Sequence, residues 1–202
     1  MKRIRYIYAI LALLIGLTAS AATPAQIFDS CVAKLRGAKS IKADFTLTAQ
    51  GRTLSGTLVS KGEKFAVTTG GNGTWYDGRD LWVYTPSSGE VTVWKPVRSE
   101  LAESNPLLYL STAGDYNVAS AAGAAKGETA LTLTPKRRSA GVKSIRVVIN
   151  SSTSLPKSME ITTGNGVVKV NVKSLQLGAS VADSSFTFPK GKYPKVKITD
   201  LR

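Results

Sequence analysis

The 202-residue chain has no histidine and a single cysteine, Cys31. The missing imidazole excludes Ser-His-Asp and Cys-His nucleophilic centres and removes the commonest metal ligand. One thiol can neither close an intramolecular disulfide nor build a cysteine zinc site. Set among apolar residues at helical spacing, Cys31 reads as a packing residue. Carboxylates are scarce, 13 against 27 lysines and arginines, for a formal charge of +14. No apolar run reaches the roughly 20 residues that a membrane-spanning helix needs. The run from Tyr6 to Leu17 is too short, but it has a basic head (Lys2, Arg3, Arg5) and is followed by Ala19-Ser20-Ala21, small residues where a signal peptidase reads. Residues 1–21 are therefore expected to be a cleaved signal peptide, and 22–202 one exported domain.

Without Lys2, Arg3 and Arg5 the remaining chain carries +11. In a cytoplasmic protein such a balance would suggest nucleic acid; export removes that expectation. The densest basic clusters are Lys136-Arg137-Arg138 and Lys190, Lys192, Lys195, Lys197. They read as a solvated turn and an outward strand face, or, more sharply, as contacts for acidic headgroups or an acidic protein. Catalytic patterns are thin. Ser154-Leu155-Pro156-Lys157 has the Ser-x-x-Lys spacing but holds a proline in a turn, and its companion motifs are missing. Asp77 and Asp80 flank Gly78, as turn residues do. Neither an enzyme nor a cofactor or metal is expected.

What is present is alternation. A short helix opens the mature chain, capped by Thr23 with Pro24 at its first position, and Ile27, Phe28, Cys31 and Leu35 share one face. From Ser40 the period becomes two: Ile41, Ala43, Phe45 and Leu47 on one side, Lys42, Asp44, Thr46 and Thr48 on the other. Similar runs recur about every ten residues, punctuated by turns such as Gly70-Gly71-Asn72-Gly73. One stretch, Ser99 to Thr112, reads as short helices, and Phe186-Thr187-Phe188 and Val196-Lys197-Ile198 as closing strands. About eleven antiparallel strands and two helical patches fit a mainly β fold: an incomplete barrel with short helices as a lid over an apolar cavity, the usual form of a small-molecule site.

The residues also resemble a family. Ser40-Ile41-Lys42-Ala43-Asp44-Phe45-Thr46 after a helix, Asp77-Gly78-x-x-Leu81-Trp82-Val83-Tyr84-Thr85-Pro86, Asn105-Pro106-Leu107-Leu108, Leu131-Thr132-Leu133-Thr134-Pro135-Lys136 and Phe186-Thr187-Phe188-Pro189 are similar, in order, to segments of the periplasmic lipoprotein carrier LolA. The resemblance implies a monomeric periplasmic carrier for the acyl chains of lipoproteins. It would receive them from an inner-membrane lipoprotein-releasing transporter and pass them to an outer-membrane acceptor. An acyl-chain or lipoprotein sensor on the same fold is the alternative. Under the resemblance Phe45, Leu47, Leu58, Phe65, Val67, Trp82, Tyr84, Leu107 and Leu108 are expected to line the lipid site. The family carries an Arg-Pro pair before the aromatic that is Phe65 here, and its arginine helps hold the lid closed. Lys61-Gly62-Glu63-Lys64 stands there instead, leaving Lys61 as the expected lid contact and a looser closure.

Overall fold

The computed structural model of the protein describes residues 21–111, 113–137 and 141–202. The segment read as a signal peptide lies outside them up to residue 20, as does Arg138. Helix α1 (Pro24–Gly37) starts as its residues dictate: the Thr23 hydroxyl accepts from the Gln26 amide at 3.3 Å, and the Gln26 side chain accepts from the Thr23 amide at 2.8 Å.

Twelve strands follow: β1 (Ile41–Ala49), β2 (Arg52–Lys61), β3 (Lys64–Thr69), β4 (Asn72–Tyr76), β5 (Leu81–Thr85), β6 (Glu90–Trp94), β7 (Tyr116–Ser120), β8 (Glu128–Pro135), β9 (Val142–Asn150), β10 (Pro156–Thr163), β11 (Gly166–Leu177) and β12 (Lys197–Asp200). They form one sheet in the order β12-β6-β5-β4-β3-β2-β1-β11-β10-β9-β8-β7. Two meanders, β1–β6 and β7–β11, are thus joined through the β1–β11 pair. The sheet does not close, and β12 and β7 are its edges. Short turns keep the meanders tight; Gly70 and Gly71, at φ 57° and 89°, make the two-residue turn between β3 and β4 that a residue with a Cβ would strain.

Helix α2 (Arg98–Ser104) and a 3-10 helix (Pro106–Leu110) sit between β6 and β7, where the sequence places its lid. The expected strand at Phe186-Thr187-Phe188 does not form. Phe186 ends a 3-10 turn (Asp183–Phe186), and the chain runs on to β12, which pairs parallel with β6. Three alternating residues are too few to distinguish a strand from a strap that buries two rings. No helix among the described residues is long and apolar enough to cross a membrane.

Candidate functional site

The sheet's two faces follow from the register. Phe45 lies opposite Gly56, Leu58 pairs with Ala43 and Val67, and Phe65 pairs with Tyr76, which pairs with Leu81. Because side chains alternate along a strand and stay in step across pairs, all of these belong to one face, here called inner. The register continues through β11, β10, β9 and β8 to Val170, Met159, Val147 and Leu131. A bulge beside Asp44 and Phe45 absorbs an extra residue of β11, so that Val172 and Leu175 both keep the inner parity. The result is one apolar surface that crosses both meanders.

The cover comes from α1 and the lid. Phe28, Cys31, Val32 and Leu35 of α1 are buried against this surface. Burial pushes the Cys31 thiol up to about 12, so it remains a neutral packing group. Tyr116, edge-on to Phe28 at 6.2 Å, is likewise raised to about 12, by burial first and then by the Asp115 carboxylate and Tyr109. The lid is held differently. Leu110 is fully buried, whereas Leu101, Leu107 and Leu108 are half-buried on the same core and α2 has no buried residue. Its polar attachment is Glu100, whose carboxylate accepts from the Trp94 indole at 3.2 Å and the Val97 amide at 2.9 Å. Buried Asn105 then caps the 3-10 helix, its side-chain oxygen accepting from the Leu107 amide at 3.1 Å.

Seven of the residues singled out from the sequence meet here. Phe45, Leu58, Phe65 and Val67 lie in the inner core, with Leu47, Leu107 and Leu108 packed against it. The Phe45 ring lies so close over Gly56 that a Cβ there would stand 2.5 Å from it, which makes glycine the residue the contact requires. These side chains pack together between sheet and cover, Phe65 being 1% and Leu58 2% exposed. The expected lining left out Tyr76 and Trp94, which the sequence marks only as part of an aromatic-rich stretch, and Leu81 and the apolar rows of β8 to β10; stepping outward from Phe45 strand by strand in register finds them.

Trp82 and Tyr84 are elsewhere. Trp82 pairs with Trp75, and both have the opposite parity from Leu81. With Tyr84, Val91, Phe188 and Tyr193 they form a second apolar cluster on the outer face. There Trp75 meets Phe188 at 5.4 Å, and Tyr193 meets Tyr84 at 4.5 Å and Phe188 at 5.3 Å. The expectation that they sit with the inner residues is corrected by register: every residue of Leu81-Trp82-Val83-Tyr84 is apolar, so its pattern does not mark a face. Lys61 is corrected too. Its ammonium contacts Asp183 at 2.8 Å, joined by Lys64 at 3.2 Å, rather than the lid. These two lysines, Lys61 first, hold the Asp183 carboxyl below its ordinary range and tie the strap after β11 to the β2–β3 turn.

Two open recesses reach the margins of the inner core, at Phe45 and at Val32. One of about 490 Å³ is lined by Asp44, Thr46, Thr57, Thr68, Lys173 and Tyr193 among others. The second, of about 530 Å³, lies between α1 and residues 113–115. Among the described residues no group of three or more His, Cys, Asp or Glu side chains could hold a metal.

Residues 36–189 match the family model described as outer membrane lipoprotein carrier protein LolA. No curated protein matches in sequence. Among solved structures, an uncharacterized conserved protein from Thermus thermophilus is similar at 12% identity and a TM-score of 0.57, over 86% of this chain and 96% of that one. A LolA superfamily protein from Nitrosomonas europaea is 17% identical with a TM-score of 0.43, over 83% and 99% of the two chains. A putative outer membrane lipoprotein-sorting protein domain from Vibrio parahaemolyticus is 15% identical with a TM-score of 0.43, over 81% and 97%. With the match spanning most of its length, the chain belongs to the LolA family of outer membrane lipoprotein carrier proteins.

Proposed function

We propose that this protein is a periplasmic carrier that holds the acyl chains of lipoproteins against its inner face, beneath the lid. One observation carries the reading: an apolar surface continuous across both meanders, covered in part by a lid that is anchored at Leu110 and whose other leucines are only half-buried. A permanent core element would bury its apolar side fully. A cover that must yield to cargo buries enough to exclude water and no more.

Affinity follows from exchange. Each acyl methylene removed from water contributes about 0.8 kcal/mol. Cargo must first displace the Leu101, Leu107 and Leu108 side chains, whose own burial it replaces. The net gain is therefore a fraction of the gross, as a carrier needs if it is to release its load. Transfer from an inner-membrane lipoprotein-releasing transporter to an outer-membrane acceptor is the route that family membership supports, and the family's members are carriers or binders rather than enzymes. The test is to purify the protein from its native envelope and identify co-purifying molecules by mass spectrometry. Acylated lipoproteins or their acyl chains at near one per protein support the reading. A protein that emerges empty, and stays empty when offered triacylated peptide, refutes it.

A further inference from the structure

The strap between β11 and β12 crosses the outer face, away from the lid, and its underside is consumed by packing. Phe186 is fully buried, and Phe188, Tyr193 and Val196 belong to the outer cluster. Its exposed side is cationic. Between Asp183 and Asp200 the chain has no carboxylate and four lysines. Lys197 is matched by Glu90 at 2.8 Å, and the flanking Asp183 and Asp200 are engaged by Lys61 and Arg202. Lys190, Lys192 and Lys195 form no ion pair among the described residues, and all three are exposed. Lys173 borders the same face, at the recess of about 490 Å³ that Tyr193 and Asp44 also line. Ile198, 40% exposed, adds one apolar side chain of the same parity as Val91.

From this arrangement we infer that the outer-face strap docks the protein on an anionic phospholipid surface. The chemistry selects a bilayer over an acidic protein. Specific protein interfaces are built around buried aromatic and arginine anchors and are depleted in lysine. Here the aromatics are turned inward and every unmatched cation on the strap is a lysine, a mobile point charge that needs no fixed partner geometry. A plane of mobile phosphates suits such a surface. Docking by this face leaves the lid pointing away from the membrane surface or along it. The inference stands on charge and geometry and does not depend on what the inner face holds.

The experiment is vesicle co-sedimentation of the protein purified from the envelope of cells expressing the full chain. Vesicles of phosphatidylcholine with one third phosphatidylglycerol are compared with phosphatidylcholine alone. Binding to the anionic vesicles is expected at low salt and its loss at 0.5 M NaCl. The triple variant K190Q/K192Q/K195Q should lose about a hundredfold in partitioning. The charge-preserving K190R/K192R/K195R should retain it, which also controls for folding. Equal binding by the glutamine variant, or equal binding to neutral vesicles, overturns the inference. So does a protein that ignores both vesicles but is retained by immobilised polyglutamate, since the strap then serves an acidic polypeptide.

Discussion

Glu100→Ala should make the protein bind acyl chains more tightly. The carboxylate receives two hydrogen bonds, from the Trp94 indole and the Val97 amide, at the point where the lid leaves β6. A bond to a charged acceptor is worth roughly 1.5–3 kcal/mol when buried, and at this partly exposed site about 1 kcal/mol each is a fairer figure. The Val97 bond is internal to the lid, where it caps the start of α2, so only the Trp94 bond ties the lid to β6, and its loss weakens lid closure by about 1 kcal/mol. When cargo binds only the open form, its apparent affinity is the intrinsic one scaled by the open fraction. A shift of about 1 kcal/mol in that equilibrium therefore raises affinity about fivefold. The assay is displacement of a fluorescent fatty acid, read beside the thermal midpoint. Trp94 gives a second signal, because losing the carboxylate frees its indole while Trp75 and Trp82 remain in the outer cluster. An unchanged or weaker affinity in a folded variant refutes the gate, because the lid would then be no competitor for the inner face.

Phe45→Ala should abolish probe binding, whereas Trp82→Ala should lower the thermal midpoint and leave binding intact; equal effects on binding would mean that the register does not separate the two faces. Arg202→Ala should lower the urea midpoint, because it strips the 2.9 Å partner from Asp80, a carboxylate only 5% exposed, and leaves it Arg79 at 3.8 Å. Tyr116 titrates near 12 when folded and near 10 when unfolded, so between these values the unfolded state binds fewer protons and stability should fall as pH rises; a tyrosinate absorbance titration and urea midpoints at about pH 9 and 11 check both halves. Cys31, raised to about 12 by burial, should resist iodoacetamide until the protein is unfolded.

Much of the inner face is readable in Ile41, Ala43, Phe45 and Leu47, because β1 has a polar residue at every alternate place and its burial follows that beat from Ile41 to Phe45. The helix α1 is nearly as plain: Thr23 caps it, and its apolar spacing names Phe28, Cys31 and Leu35, which are buried, and Ile27, which is half-buried, while missing Val32. Where a strand is apolar on both sides the signal fails. Leu81 goes inward and Trp82 outward, and only the pairing of Trp82 with Trp75 says so. Contacts between distant segments were silent as well. Nothing local in Lys61 announces Asp183, and nothing in Val196-Lys197-Ile198 announces that its strand will lie parallel to β6. Ions and edges of this kind are settled by the route of the strap, which is a property of the whole chain.

The β1–β11 seam has a consequence for how the molecule comes into being. Asp44 and Ser174 touch across it although 130 residues separate them. A ribosome or a narrow export channel delivers the chain from its amino end, so β1 emerges long before the strand that completes its pairing. Until then one edge of the first meander is bare, a template for pairing with any extended chain nearby. Closing so long a loop also places folding in the range of about milliseconds to seconds rather than microseconds. The nascent protein is thus exposed longest along the line that later unites its two halves, and a holding factor that shields β1 is the assistance its topology calls for.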